Sequence, residues 1–395
     1  MDHDLVTAPL SGIAAGDSRE LDRVCEEVAG ALIDHGIEPE FTVTSSDFAA
    51  DPFLICADRY WRRRLLAGPT VEEAAACGRW LVAHVAAADR PTVTGKWASG
   101  YAFITRDTVQ SDTELALAAL QLTAEPDGSV VRFAALYQAS KLQANFQFDA
   151  LRRFIEGSPL MARCPAGDPL VAAYGAFAAL GSRSSSTAYG IELLDRAWNA
   201  PDRSRQVTDI CLHALWAARP FDDQGELLRA RSEQALADHP DAHIFHFRLA
   251  SGLRICERFD EALDAIDAAL AQLPAIGSRG SHGLLQEQYL RERHTILDGR
   301  QRAVWATRQQ HLWDQQDAAN QELRSTLESS TVRAVELVAV FTAAIAFAVG
   351  SLQVTLSGQL GLGDRLWLLL ALGGGLLAFS LLTVGGAWFL TRRRS

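Results

Sequence analysis

The sequence predicts a mainly all-α chain, in which a helical soluble body leads into a pair of C-terminal membrane-spanning helices. Three observations carry this. Residues 334–354 and 366–390 are long apolar runs, the first holding one charge, Glu336, and the second none. Each reaches the roughly 20 residues that cross a hydrocarbon core of about 30 Å at about 1.5 Å per residue. Upstream, apolar residues recur at helical spacing, with Gly and Pro placed where helices stop. Strand signals are confined to two short stretches.

With 395 residues the chain is long enough for two domains plus a membrane element. The net charge of -11 falls almost wholly in the soluble part, which opposes wrapping around a phosphate backbone, so no nucleic-acid partner is expected. The basic residues are nearly all Arg, the exceptions being Lys96 and Lys141. Six cysteines (Cys25, Cys56, Cys77, Cys164, Cys211, Cys256) are scattered with no C-x-x-C, and several sit in apolar helical contexts, the pattern of reduced, buried thiols. The start, MDHDLVTAPL, lacks a basic region followed by an apolar run, so insertion is expected to be directed by the C-terminal segments.

Residues 1–160 are expected to form a mostly helical N-terminal domain, and 36–110 gives no specific fold. A first helix is expected from Ser18 or Arg19 to about His35, with Leu21, Val24, Val28, Leu32 and Ile33 on one stripe and Gly36 as its stop. EFTVTSSDFAADPF carries the first strand signal. DRYWRRRLLAG reads as a short helix ending before Pro69. Thr70 then caps VEEAAACGRWLVAHVAAA, with Glu72 and Glu73 in the first turn, where the helix dipole favours acids. WASGYAFITRD is the second strand region. Helices resume at 112–123, from about 130 to 156, and at 168–181, with breaks at Gly157-Ser-Pro and around Pro165 and Pro169.

Residues 161–280 are expected to be helical hairpins. RICERFDEALDAIDAALAQLP, residues 254–274, resembles the second half of a tetratricopeptide repeat: Ala262, Ile266, Ala269 and Pro274 match that family's Ala, large apolar, Ala and Pro positions, and upstream Ala250 and Leu253 can take the small and the aromatic-or-large positions of its first helix. One period of 34 residues back, Ala235 and Pro240 match Ala269 and Pro274, Trp216 stands in place of Ala250, and Ser232 in place of Ile266. This pattern resembles the tetratricopeptide repeat: one good repeat, one degenerate, and a partial one at 187–200, over about 187–274. Ala at the crossing lets paired helices approach, and Pro closes the pair. The resemblance implies tetratricopeptide-like stacking and a partner protein held in a concave groove.

Residues 281–333 read as one long juxtamembrane helix, Gln- and Arg-rich and free of Pro, continuing toward the first span. Leu312, Ala319 and Leu323 hint at a seam that Gln316 interrupts. The spans at 334–354 and 366–390 are joined by 355–365, a short external loop rich in Gly, and followed by a basic tail at 391–395. Arg333 before the first span and Arg392, Arg393 and Arg394 after the second place both termini in the cytoplasm by the positive-inside bias, in an inner cell membrane crossed twice. Gly350 in the first span and Gly373, Gly374, Gly375, Gly385 and Gly386 in the second let membrane helices approach, within the hairpin or in a homo-oligomer. Trp367 and Trp388 suit interfacial anchoring, and Glu336, three residues after Arg333, suits an interfacial carboxylate.

No catalytic, cofactor-binding or metal-ligating set is assigned. His239, His243 and His246 lie close to Asp238 and Asp241, but Pro240 separates the first two across a helix boundary, and no H-E-x-x-H is present. Cys211 and His213, two apart, cannot share a helix face. Arg62, Arg63 and Arg64 read as a solvated face, with acidic lipid headgroups as the competing reading. Taken together the residues point to a membrane-tethered cytoplasmic protein-binding scaffold or adaptor, whose partners are another protein at the repeats and the lipid bilayer. The alternative is an oligomeric channel or transporter: the order of cytoplasmic body, long helix, two spans and basic tail is similar to CorA-type magnesium channels. Their Gly-Met-Asn signature is replaced here by Ser-Gly-Gln-Leu-Gly, 357–361. An enzyme of unassigned chemistry is the third reading.

Overall fold

The computed structural model describes residues 6–12, 18–273, 279–356 and 361–392, which are helical apart from short links; among them there is no strand, only an isolated parallel bridge between Val43 and Val85. The chain divides into two units, Met1–Arg300 and Gln301–Ser395.

The first unit opens with α1 (Ser18–Asp34), α2 (Pro52–Ala67), α3 (Val71–His84), α4 (Arg90–Ile104) and α5 (Asp112–Leu122). Local chemistry sets their starts. Asp51 accepts from the backbone N–H groups of Phe53 and Leu54, and Pro52 occupies the first turn of α2, where its missing N–H costs nothing. Thr70 Oγ1 accepts from Glu73 N at 3.2 Å, as its position predicts, and Ser111 with Glu114 closes a capping box on α5.

Both strand expectations are corrected. In the link before α2, Val43 makes only the bridge, donating to His84 O at 2.8 Å and accepting from Ala86 N at 3.0 Å. The Trp80 indole fixes the same link by donating to Pro39 O at 2.6 Å. WASGYAFITRD enters α4 instead. Val93, Trp97 and Tyr101 are spaced four apart and are all buried with Ala98 and Ala102, so burial of a helical stripe overrides the aromatic β-propensity of the segment.

The helix expected from about 130 to 156 is two helices, α6 (Gly128–Ala144) and α7 (Phe148–Gly157). Phe146 turns left-handed at φ 54°, Gln147 N donates back to Leu142 O at 2.9 Å, and the chain folds over. α6 is buried along nearly its whole length, against α3 and α4 on one side and α7 on the other. Gly78 permits this: a Cβ there would sit 3.2 Å from the Val130 backbone.

Stacked helices follow: α8 (Pro169–Gly181), α9 (Thr187–Trp198), α10 (Arg205–Ala217), α11 (Gln224–Asp238), α12 (His243–Ile255) and α13 (Phe259–Ala271). α8 packs on α9 and α10, α10 on α12, and α12 between α11 and α13. The inner helices α8, α10 and α12 are the more buried, while α9, α11 and α13 keep one face in solvent. A further helix, α14 (Arg279–Leu356), begins by closing this stack. Tyr289 and Ile296 are buried beside Phe247, Ala250, Ala262 and Ile266. Ion pairs Arg254–Glu292 (2.7 Å), Arg293–Asp267 (2.7 Å) and Arg300–Asp260 (3.1 Å) tie the same turns to α12 and α13.

In the second unit, α14 continues unbroken to Leu356 and α15 spans Leu362–Arg392, as the Pro-free composition predicts. Both are long and apolar enough to cross a membrane. Their large apolar side chains, among them Val335, Phe341, Ile345, Leu370 and Leu381, are exposed, a surface that lipid would cover and water would not tolerate.

Candidate functional site

The residues singled out from the sequence fall in distinct places. Ala235, Ala250, Ala262, Ile266 and Ala269 are fully buried and Leu253 nearly so, while Pro240 is exposed in the link between α11 and α12. Pro274 lies outside the described residues. Gly350 meets α15, since a Cβ there would lie 2.7 Å from Leu372 Cδ2, and one on Gly373 would lie 3.7 Å from Phe347. Gly374, Gly375 and Gly385 have open space around them. Nothing is described around Gly386. Arg333 is exposed on α14, Arg392 falls in the last turn of α15, and Arg393 and Arg394 lie outside the described residues.

The histidine group separates. Nδ1 of His243 sits 2.7 Å from the Tyr289 hydroxyl, whereas His246 Nε2 reaches Pro240 O at 3.0 Å, and α11 ends at Asp238 before α12 begins at His243. The three arginines also part: Arg63 pairs with Glu26, Arg64 with Glu73 at 2.6 Å, and Arg62 faces a cavity. Cys25, Cys56, Cys77 and Cys211 are buried and unbridged, as their apolar contexts predict. Burial pushes the Cys164 and Cys256 thiols up to about 11, far from thiolate reactivity.

The densest polar chemistry lies on the inner helices α10 and α12. Arg248 is buried, and its guanidinium carbon lies 4.7 Å from the Trp216 ring and 5.2 Å from Phe247. Its Nε and Nη1 have no hydrogen-bond partner. Asp209, one helix away, likewise leaves a buried carboxylate oxygen unpartnered. Desolvation raises the Asp209 pKa against the pull of Arg248 and Arg205, and it lowers that of Arg248. His213 Nδ1 is bound by Gln143 Nε2 at 2.8 Å, and burial then nearby Arg248 hold the imidazole neutral, well below its ordinary value.

Rings connect these groups from helix to helix. Phe146 meets Phe177, Phe177 meets His213, and His213 meets Trp216; Trp216 then meets Phe247, which stacks on Tyr289 at 4.9 Å. The row runs along the inner helices and ends on the turns of α14 that close the stack. Its charged groups are buried inside the stack and line no described cavity, so the row packs the inner helices against one another.

Sequence reasoning missed Asp209 and Arg248. The available signal was a charge inside IFHFRLASGL, where the apolar spacing of a repeat helix calls for burial. No family model, curated protein or solved structure matches the chain.

Proposed function

We propose that the chain is a membrane-tethered cytoplasmic scaffold or adaptor whose tetratricopeptide-like helix pairs hold another protein at the inner face of the bilayer. The observation that carries this is the stack of α8 to α13, with fully buried Ala250, Ala262 and Ala269 at a close helix crossing, closed by a helix whose far end is an apolar span. Buried Ala at a crossing supports repeat packing, and repeat stacks present extended surfaces suited to protein partners. Tethering then raises the local concentration of whatever the stack holds, so a weak contact becomes an effective one.

The test uses a photo-crosslinking amino acid placed at Tyr189 or Ile255, exposed on α9 and α12. In intact cells a scaffold gives one discrete adduct with a different protein, from one position and not from exposed Leu117 on α5. Adducts only between copies of the chain would contradict the scaffold and favour the oligomeric channel.

A further inference from the structure

A cavity of about 420 Å³ opens between α1, α2, α4 and the link before α2, in the part of the chain whose fold the sequence left open. Its size lies within the roughly 300–1,000 Å³ range of small-molecule sites. Phe48, Trp97 and Tyr101 supply aromatic wall, and Leu21, Ile55 and Ile104 supply aliphatic wall.

The charged lining is unbalanced. Arg59, Arg62 and Lys96 face Asp22 and Asp58. Both carboxylates are already engaged. Asp22 accepts from Arg59 Nη2 at 3.3 Å, and Asp58 accepts from the Tyr101 hydroxyl at 3.0 Å and lies 3.8 Å from Arg59. Arg59 therefore serves both acids and, at 3.5 Å, Glu26 as well, whereas Arg62 and Lys96 make no ion pair among the described residues. The Lys96 ammonium sits 3.4 Å from the centroid of the Phe48 ring, and both residues line the cavity. Burial lowers the pKa of Lys96 and raises that of Asp58, the sign expected where water is thinned around both. In a chain of net charge -11 with two lysines, two cations free of ion pairs beside aromatic rings are a local exception.

We propose that the cavity binds a small soluble organic anion, its apolar or aromatic body against Trp97 and Phe48 and its charged end between Lys96 and Arg62. The volume suits a ring-sized body and is too small for the paired acyl chains of a membrane lipid. The site is separate from the helix stack of the proposed scaffold and stands or falls without it.

Phenyl phosphate, titrated by calorimetry into the full chain in lipid nanodiscs with empty nanodiscs as blank, tests this. Inorganic phosphate supplies the charge without the body, and benzylamine supplies the body with the opposite charge. Two variants complete the design. Lys96→Met removes a cation. Gly100→Leu fills the cavity: Gly100 lines it, and a Cβ there meets nothing within 4 Å. The expected result is saturable one-to-one binding of phenyl phosphate, tighter than either comparator and weakened at least about tenfold in each variant. Thermal unfolding at the wild-type temperature certifies the fold of each, and Gly100→Leu decides if Lys96→Met is unstable. Absence of saturable binding, unchanged affinity in the folded variants, or benzylamine binding as tightly as phenyl phosphate would each overturn the proposal.

Discussion

Three helix ends share one closure, and they show what single residues reveal. After α1, α6 and α12 the chain turns left-handed at Gly36 (φ 64°), Phe146 (φ 54°) and Glu257 (φ 60°). In each case the next amide donates back five residues: Ile37 to Leu32, Gln147 to Leu142, Arg258 to Leu253. The first stop was legible because Gly is the residue that occupies this conformation without strain. The other two were not, because the fold imposes the turn on residues that resist it. Glu257→Gly is therefore expected to stabilise the protein by about 0.5–1 kcal/mol, the relief of strain outweighing the added freedom of the unfolded chain. A thermal melt of the variant measures it. His213 gives a second test. Its folded pKa lies well below the ordinary 6.5 of the unfolded chain, so the unfolded state takes up the proton first as pH falls. The stability contributed by the neutral ring is full above about pH 6.5 and is lost below it. The raised pKa of Asp209 acts with the opposite sign, toward greater stability in acid. Comparing melting temperatures of wild type and His213→Gln between pH 7.5 and about 5 isolates the histidine, and the variant is expected to show the shallower decline.

At the scale of elements, helix positions were readable where a cap or a spacing is local, and unreadable where a neighbour decides. Thr70, the 168–181 segment and the long final helices follow from their own residues. α4 does not, because Trp97 and Tyr101 favour strand until the fold supplies Trp80 on α3, on which Trp97 stacks at 5.9 Å, and Asp58 on α2, which accepts from the Tyr101 hydroxyl. Close approaches show the same division. The alanines at the α12–α13 crossing stand in a repeat pattern and were noticed, whereas Gly252, the key to the α11–α12 crossing, has no pattern to mark it. A Cβ there would lie 2.7 Å from Arg229 N and 3.1 Å from its Cα, backbone atoms that cannot swing away. Gly252→Ala is expected to cost about 1–3 kcal/mol despite the better helix propensity of Ala, as overpacking outweighs it. Gly283→Ala, exposed on α14 with nothing within 4 Å of its Cβ, serves as the control without overpacking, in which helix propensity alone is expected to stabilise by up to about 1 kcal/mol. The buried pair Asp209 and Arg248 belongs to the same category, since only the folded stack brings them near each other.

For the whole molecule, the division between a helical body and two apolar helices was the most legible feature, because the bilayer demands a length and a composition that few soluble helices meet. The small residues of the spans were legible as a class, but their roles differ. Gly350 lies against Leu372, while Gly374 and Gly375 face open space. The proposed function requires that the body be tethered by two spans, with 355–365 outside and both flanks of the pair in the cytoplasm. The measurement that tests it most directly is labelling of intact cells, with the outer barrier opened, by a membrane-impermeant thiol reagent on Gln359→Cys and Ser395→Cys chains. The account predicts that Gln359→Cys is labelled, whereas Ser395→Cys and the wild-type chain, whose cysteines all lie in the body, react only after the membrane is permeabilised. Labelling of Ser395→Cys in intact cells, or protection of Gln359→Cys, would contradict it.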